Sequence, residues 1–134
     1  MKTARLAVLL ALATIALSAL ACGGSFTTAR IADAWLATDE EGANRTTTFS
    51  QDATFNLFVE LKNAPEDTKL KASWIAVDAE ATEANTVVYE TEYTSSDDTI
   101  RFFLENEDLW PAGSYRVDIY LDGELDRSVA FTVQ

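Results

Sequence analysis

From Phe26 onward, apolar and polar residues alternate in short runs separated by clusters of Gly, Asn, Asp, Ser and Pro, with no convincing long helical stretch. Period-two alternation puts successive side chains on opposite faces of an extended chain, so these runs predict strands with one face on a core. The clearest is Ala53 to Lys62, "ATFNLFVELK": Phe55, Leu57, Val59 and Leu61 share one face, and Thr54, Asn56, Glu60 and Lys62 the other. "NAPEDT" breaks this run, with Pro65 at the turn. The next strand, Lys69 to Val77, sets Leu70, Ala72, Trp74 and Ala76 inward. "DAEATEAN" reads as a loop, and "TVVYETEY" as a strand near an edge with Val87, Tyr89 and Tyr93 on one parity. After the turn "TSSDD", "TIRFFLE" points Ile100, Phe102 and Leu104 inward.

The last two strands, Tyr115 to Leu121 and Ser128 to Val133, form a hairpin around "DGEL", where Asp122 and Gly123 both tolerate positive φ. Tyr115, Val117, Ile119 and Leu121 face the core there with Val129, Phe131 and Val133. The first segment, "ARIADAWLATD", is ambiguous, since Ile31, Ala34 and Trp35 also fit one side of a helix; its shortness and its β surroundings favour a strand. Several short strands at regular spacing predict an all-β, two-sheet antiparallel sandwich over residues 26–134.

The residues "WPAGSYRVDIYLDGELDRSVAFTV" join a Pro–x–Gly–x–Tyr start to an alternating strand, an Asp-Gly turn and a final strand. In this the chain, over roughly residues 50–134, resembles the small immunoglobulin-like or fibronectin-like modules of bacterial surface lipoproteins. The resemblance implies an immunoglobulin-like sandwich in which Pro111 and Gly113 bend the chain into the penultimate strand. Tyr115 then stands as a tyrosine corner, its hydroxyl bonded to backbone a few residues upstream. Trp74 sits where such domains bury a central tryptophan, without the flanking cysteines. Trp110 is left either to cap the end of the core or to stand at its rim. Such modules serve as adhesion, spacer or ligand-binding units, and the fold does not choose among them.

Ahead of the sandwich, Lys2 and Arg5 precede the uncharged run "LAVLLALATIALSALA", residues 6–21. A basic start, a short apolar middle and small residues at the end describe a secretory signal peptide, and the run is short for a spanning helix. It ends at Cys22, the chain's one cysteine. Ala19, Leu20, Ala21 and Cys22 resemble the lipobox of bacterial lipoproteins, with Ala19 where leucine is usual. The resemblance implies cleavage between Ala21 and Cys22 and acylation of Cys22 by palmitate-type chains, with "GGS" at 23–25 as a short tether. Each buried methylene contributes about 0.8 kcal/mol, so several chains hold a protein to a bilayer almost permanently. The expected location is the cell envelope, exported and membrane-anchored. The alternative is ordinary cleavage that leaves a free thiol.

Removing residues 1–21 from the 134 leaves 113, enough for one domain with a real core. It also removes Lys2 and Arg5, taking the formal charge from −12 to −14. Such acidity argues against nucleic acid and against docking on anionic lipid. With no histidine and one cysteine already used, neither a Ser–His nor a Cys–His nucleophile is available, so no enzyme and no cofactor is expected. The acidic runs "DEEG" (39–42), "SSDD" (95–98), "ENED" (105–108) and "DGELD" (122–126) raise a calcium or other cation site as the alternative function. None has the D-x-[DN]-x-[DN]-G spacing of a calcium loop, so no metal ligand is assigned.

Apolar residues on the outward parity are the better lead. Phe58 and Phe103 are expected side by side on the outer face of one sheet, and Ile75, Val77 and Tyr120 on the outer face of the other. Exposed apolar patches mark partner surfaces; the alternative is that the N-terminal segment, through Ile31, Trp35 or Leu36, folds over one of them. The expected function is therefore a non-enzymatic, lipid-anchored envelope module that binds or spaces a protein or polysaccharide partner, with Phe58, Phe103, Ile75 and Tyr120 as candidate contacts.

Overall fold

The computed structural model describes residues 28–134, so the signal peptide, Cys22, the tether at 23–25 and the first two residues expected in the sandwich lie outside the described residues. Eight strands follow in order: β1 (Arg30–Ala37), β2 (Thr48–Phe49), β3 (Phe55–Lys62), β4 (Thr68–Ala79), β5 (Thr86–Ser95), β6 (Thr99–Leu104), β7 (Gly113–Leu121) and β8 (Glu124–Val133). They form a three-stranded sheet in the order β1-β3-β6 and a five-stranded sheet in the order β2-β8-β7-β4-β5. All pairings are antiparallel except β2 with β8. This is an all-β, immunoglobulin-like two-sheet sandwich, and β1 is a strand as its surroundings suggest.

The alternating residues of β3 face those of β4, β7 and β8. Leu57, Val59 and Leu61 are fully buried, as are Leu70, Ala72, Val117 and Ile119. At one end the filling is aromatic and centred on Phe55. Its ring lies 4.7 Å from that of Trp110, 5.0 Å from those of Phe49 and Phe131, and 6.2 Å from those of Trp74 and Tyr115. Trp110 caps the core, donating its indole N–H to the Ala53 carbonyl at 2.9 Å. Trp74 is buried on β4 without flanking cysteines, and its indole nitrogen has no protein partner.

Two turns hold the long hairpin and its entry. Asp122 and Gly123 both take positive φ, 49° and 84°, which a two-residue turn matched to strand twist requires. Asp122 also exchanges hydrogen bonds with Lys69, receiving its N–H on Oδ1 and giving its own N–H to its carbonyl, both at 2.9 Å. Gly113 starts β7 where β4 bulges between Ala76 and Asp78. A Cβ there would stand 2.2 Å from the Asp78 carbonyl oxygen, so no side chain fits without moving backbone. Two residues on, the Tyr115 hydroxyl donates to the Pro111 carbonyl at 2.6 Å, and burial raises its phenol above the ordinary value.

One face assignment differs from the sequence pattern. β5 carries a bulge opposite the Trp74–Ile75 step, so Tyr89 pairs with inward Trp74 while Val87 pairs with outward Ile75. Val87 and Tyr89 therefore lie on opposite sides, because the extra residue, Val88, shifts the pleat by one.

Tyr115→Phe removes the corner bond and leaves the Pro111 carbonyl without that donor. The expected loss is about 1 kcal/mol, seen as a fall in Tm of roughly 4–8 °C with the far-UV spectrum unchanged. A Tm equal to that of the parent would show that the corner contributes nothing.

Candidate functional site

The outer face of the three-stranded sheet is where Phe58 and Phe103 fall, and the structure separates them. Phe58 is 5% exposed. Trp35 opposes it in register and stacks on it, the rings 5.5 Å apart and 14° from parallel. The loop after β1 completes the cover: Gly42 accepts the Trp35 indole N–H at 3.0 Å, and a Cβ on Gly42 would touch the Phe58 ring at 3.0 Å. Asp39 braces this loop by accepting the N–H groups of Asn44 at 2.7 Å and Ala43 at 2.9 Å. Those two bonds hold its carboxyl below the usual carboxylate range. Phe58 is thus lost as a partner contact, because the N-terminal strand covers it through Trp35; Ile31 and Leu36 point into the core instead.

Phe103 stays 46% exposed at the edge of the same sheet. Between it and Phe58 lies Arg101, in register with Phe58, so the two phenylalanines are not side by side. The Arg101 guanidinium lies 4.6 Å from the Phe103 ring, donates to Asn56 Oδ1 at 2.9 Å and approaches Glu40 at 3.9 Å. At the other end of the row Arg45 covers Trp35 at 4.0 Å and pairs with Asp33 at 3.2 Å. Both of these cations are used within the face.

On the outer face of the five-stranded sheet Ile75 and Tyr120 are covered too, while Val87 at the edge stays exposed. Ile75 is 6% exposed, in register with Val87 on one side and Arg116 on the other, and so is not a free contact. Arg116 reaches Asp118 at 3.1 Å and Asn85 at 3.3 Å, and Ser128 donates to Asp118 at 2.6 Å. Val77 is half-buried. Tyr120 is half-buried beneath the Lys71 ammonium, 4.3 Å from its ring, and Lys71 also pairs with Glu90 at 3.6 Å.

The side between β5 and β6 differs. These strands end different sheets and share no ladder, so inward side chains near them are open to solvent. Tyr89, Thr91 and Tyr93 of β5 and Phe103, Leu104 and Glu105 at the end of β6 line a groove of about 330 Å³. Tyr93 packs on Phe102 at 5.1 Å yet is 43% exposed, and Tyr89 is 48% exposed. The sequence pattern put the two tyrosines on one parity of a strand near an edge and did not single them out as surface. The available signal was their chemistry: phenols flanked by Glu90 and Glu92, on a strand followed at once by an acidic turn.

Acidic loops serve the backbone. Asp97 accepts the Ala64 N–H, Asp98 the Thr99 N–H at 2.8 Å, and Asp122 the Lys69 N–H. Among the described residues no group of three or more acidic or metal-ligating side chains converges.

No protein-family model and no curated protein sequence matches the chain. Solved structures do. An immunoglobulin-like protein from Pseudomonas aeruginosa superposes with a TM-score of 0.56 at 17% identity, covering 83% of this chain and all of its own. The alkylpurine DNA glycosylase of Pseudomonas fluorescens, bound to DNA with an abasic-site analogue, gives 0.53 at 15% identity, covering 79% of this chain but only 30% of the glycosylase. Both likenesses show the fold.

The two phenylalanines should respond oppositely to charge. Phe58→Asp buries a carboxylate in a ring stack and is expected to cost at least about 3 kcal/mol, enough to lose the cooperative melt or lower it sharply. Phe103→Asp should shift stability by less than about 1 kcal/mol. Equal melting of the two variants would contradict this assignment.

Proposed function

We propose that the chain is a non-enzymatic, lipid-anchored envelope protein whose sandwich binds a protein or polysaccharide partner. The carrying observation is the groove between β5 and β6, where Tyr89, Tyr93 and Phe103 remain about half exposed together while Phe58, Ile75 and Tyr120 on the outer sheet faces are covered by neighbouring side chains. Exposed aromatics gathered at one place mark contact surfaces more strongly than scattered ones. The chain has no histidine and its one cysteine follows the apolar leader, which favours binding over catalysis and acylation of Cys22 as the anchor. A formal charge of −12 on the whole chain argues against nucleic acid as partner. DNA is the glycosylase's ligand, held by a protein more than three times as long as the part matched.

Two measurements test this. Cys22→Ser should move the protein from the membrane to the soluble fraction; continued membrane association would overturn the anchor. A photo-crosslinking phenylalanine analogue at position 103 should form an envelope-dependent adduct that the same analogue at exposed Leu125 does not. Equal adducts, or none at position 103, would overturn the binding reading.

A further inference from the structure

The groove borders an unprotected strand. From Tyr89 to Ser95, β5 runs in unbroken register with β4 from Trp74 to Thr68, and its other side is unpaired among the described residues. A free row of backbone N–H and C=O groups is a template for another strand, and proteins usually blunt such edges with bulges, Pro, Lys or short length. The other three edges here are blunted. β2 has two residues and β6 six. β1 is bulged between Ile31 and Asp33, and the Ile31 carbonyl accepts from Arg127 at 2.8 Å. β5 has ten residues and contains no Pro, Gly or Lys, and its one bulge, at Val88, falls before the stretch from Tyr89 to Ser95.

Charge identifies what the edge suits. Residues 78–108, which span β5, β6 and their loops, hold ten of the chain's 22 acidic residues and one base, Arg101. That base is already held by Asn56 and Glu40. A second copy is a poor occupant: antiparallel pairing centred on Thr91 would set Glu90 against its neighbour's Glu92, and like charges directly opposite are unfavourable.

Resting on the binding reading above, we propose that the β5 edge takes an extended basic peptide by strand addition. The peptide backbone pairs with Tyr89–Ser95 and lies over the open side between β5 and β6. Its alternate side chains divide between two environments. Lys or Arg on the outer face meets Glu92 and Glu90, in register with outward Lys71 and Ser73, Glu90 being shared with Lys71 at 3.6 Å. Apolar side chains on the inner face enter the groove of Tyr89, Tyr93, Phe103 and Leu104, with Glu105 on its lining.

The test uses the full chain in detergent and three short acetylated peptides: alternating Lys and Val, alternating Glu and Val, and the Lys–Val peptide with its central amides N-methylated. Binding is read by fluorescence anisotropy and by exchange of the β5 amides. The Lys–Val peptide should bind, protect amides within 89–95 and weaken with added salt. N-methylation, or Glu92→Lys with Glu105→Lys, should each weaken binding by about tenfold or more. Equal binding of the N-methylated peptide would reduce the effect to charge and overturn strand addition, as would equal binding of the Glu–Val peptide or no binding of the Lys–Val peptide. So would edge-facing β5 amides, those not bonded to β4, already protected without peptide, whether dilution releases them, indicating a second copy, or does not, indicating the chain's own leading residues. If the peptide arm fails while the position-103 adduct still forms, strand addition falls and the binding reading stands.

Discussion

The contact that organises this domain is the insertion of Phe55, from the three-stranded sheet, among rings supplied by the other sheet and the loops between them. It meets Phe49, Trp74, Tyr115 and Phe131 on β2, β4, β7 and β8, and Trp110 in the loop before β7. Burying one such ring contributes about 1.5–3 kcal/mol, and each well-placed aromatic pair about 0.5–1.5 kcal/mol more. The described domain contains no cysteine, so sheet-to-sheet cohesion rests on this packing rather than on a covalent crosslink. The tyrosine corner, the Trp110 cap and the close passage of Gly113 over β4 all hold segments that deliver rings to this cluster.

With the core filled from one end, several outward side chains are covered from within the domain. Trp35 and Gly42 close over Phe58, Arg101 bridges from there to Phe103, and Lys71 covers Tyr120. Each is a cation or ring satisfied within the domain, and each removes a place where a partner would otherwise gain contact. What remains unfinished is the seam between sheets at β5 and β6, where no ladder joins the strands and aromatic side chains lie across the gap.

Much of the fold was legible because alternation is a local signal. The faces of β3 and β4, the Asp122–Gly123 turn and the position of Tyr115 follow from residue types a few positions apart. The candidate contacts were less legible, because outward parity describes only one strand while exposure depends on what crosses above it. Phe58 and Ile75 have outward parity and are buried, one by a ring from β1 and the other between Val87 and Arg116. Tyr89 and Tyr93 have inward parity and are exposed, because their strand stands at the end of its sheet. Val87 was misassigned for a simpler reason, since one bulged residue inverts every face beyond it.

The first described residues carry a consequence for orientation. Thr28 bonds to the Asn63 carbonyl, at the end of the domain where separate loops carry Glu66 and Asp67, Asp97 and Asp98, and Asp122. With Cys22 as the proposed anchor, the six residues to Thr28 extend at most about 20 Å, so this acidic end is the one turned to the bilayer. Anionic headgroups repel it over roughly a Debye length, about 8 Å at physiological salt, which favours an upright domain over one lying on its side. Leu104 and Glu105 lie toward the opposite end and Tyr93 toward this one, so with that anchor the groove would run along the domain, away from the bilayer.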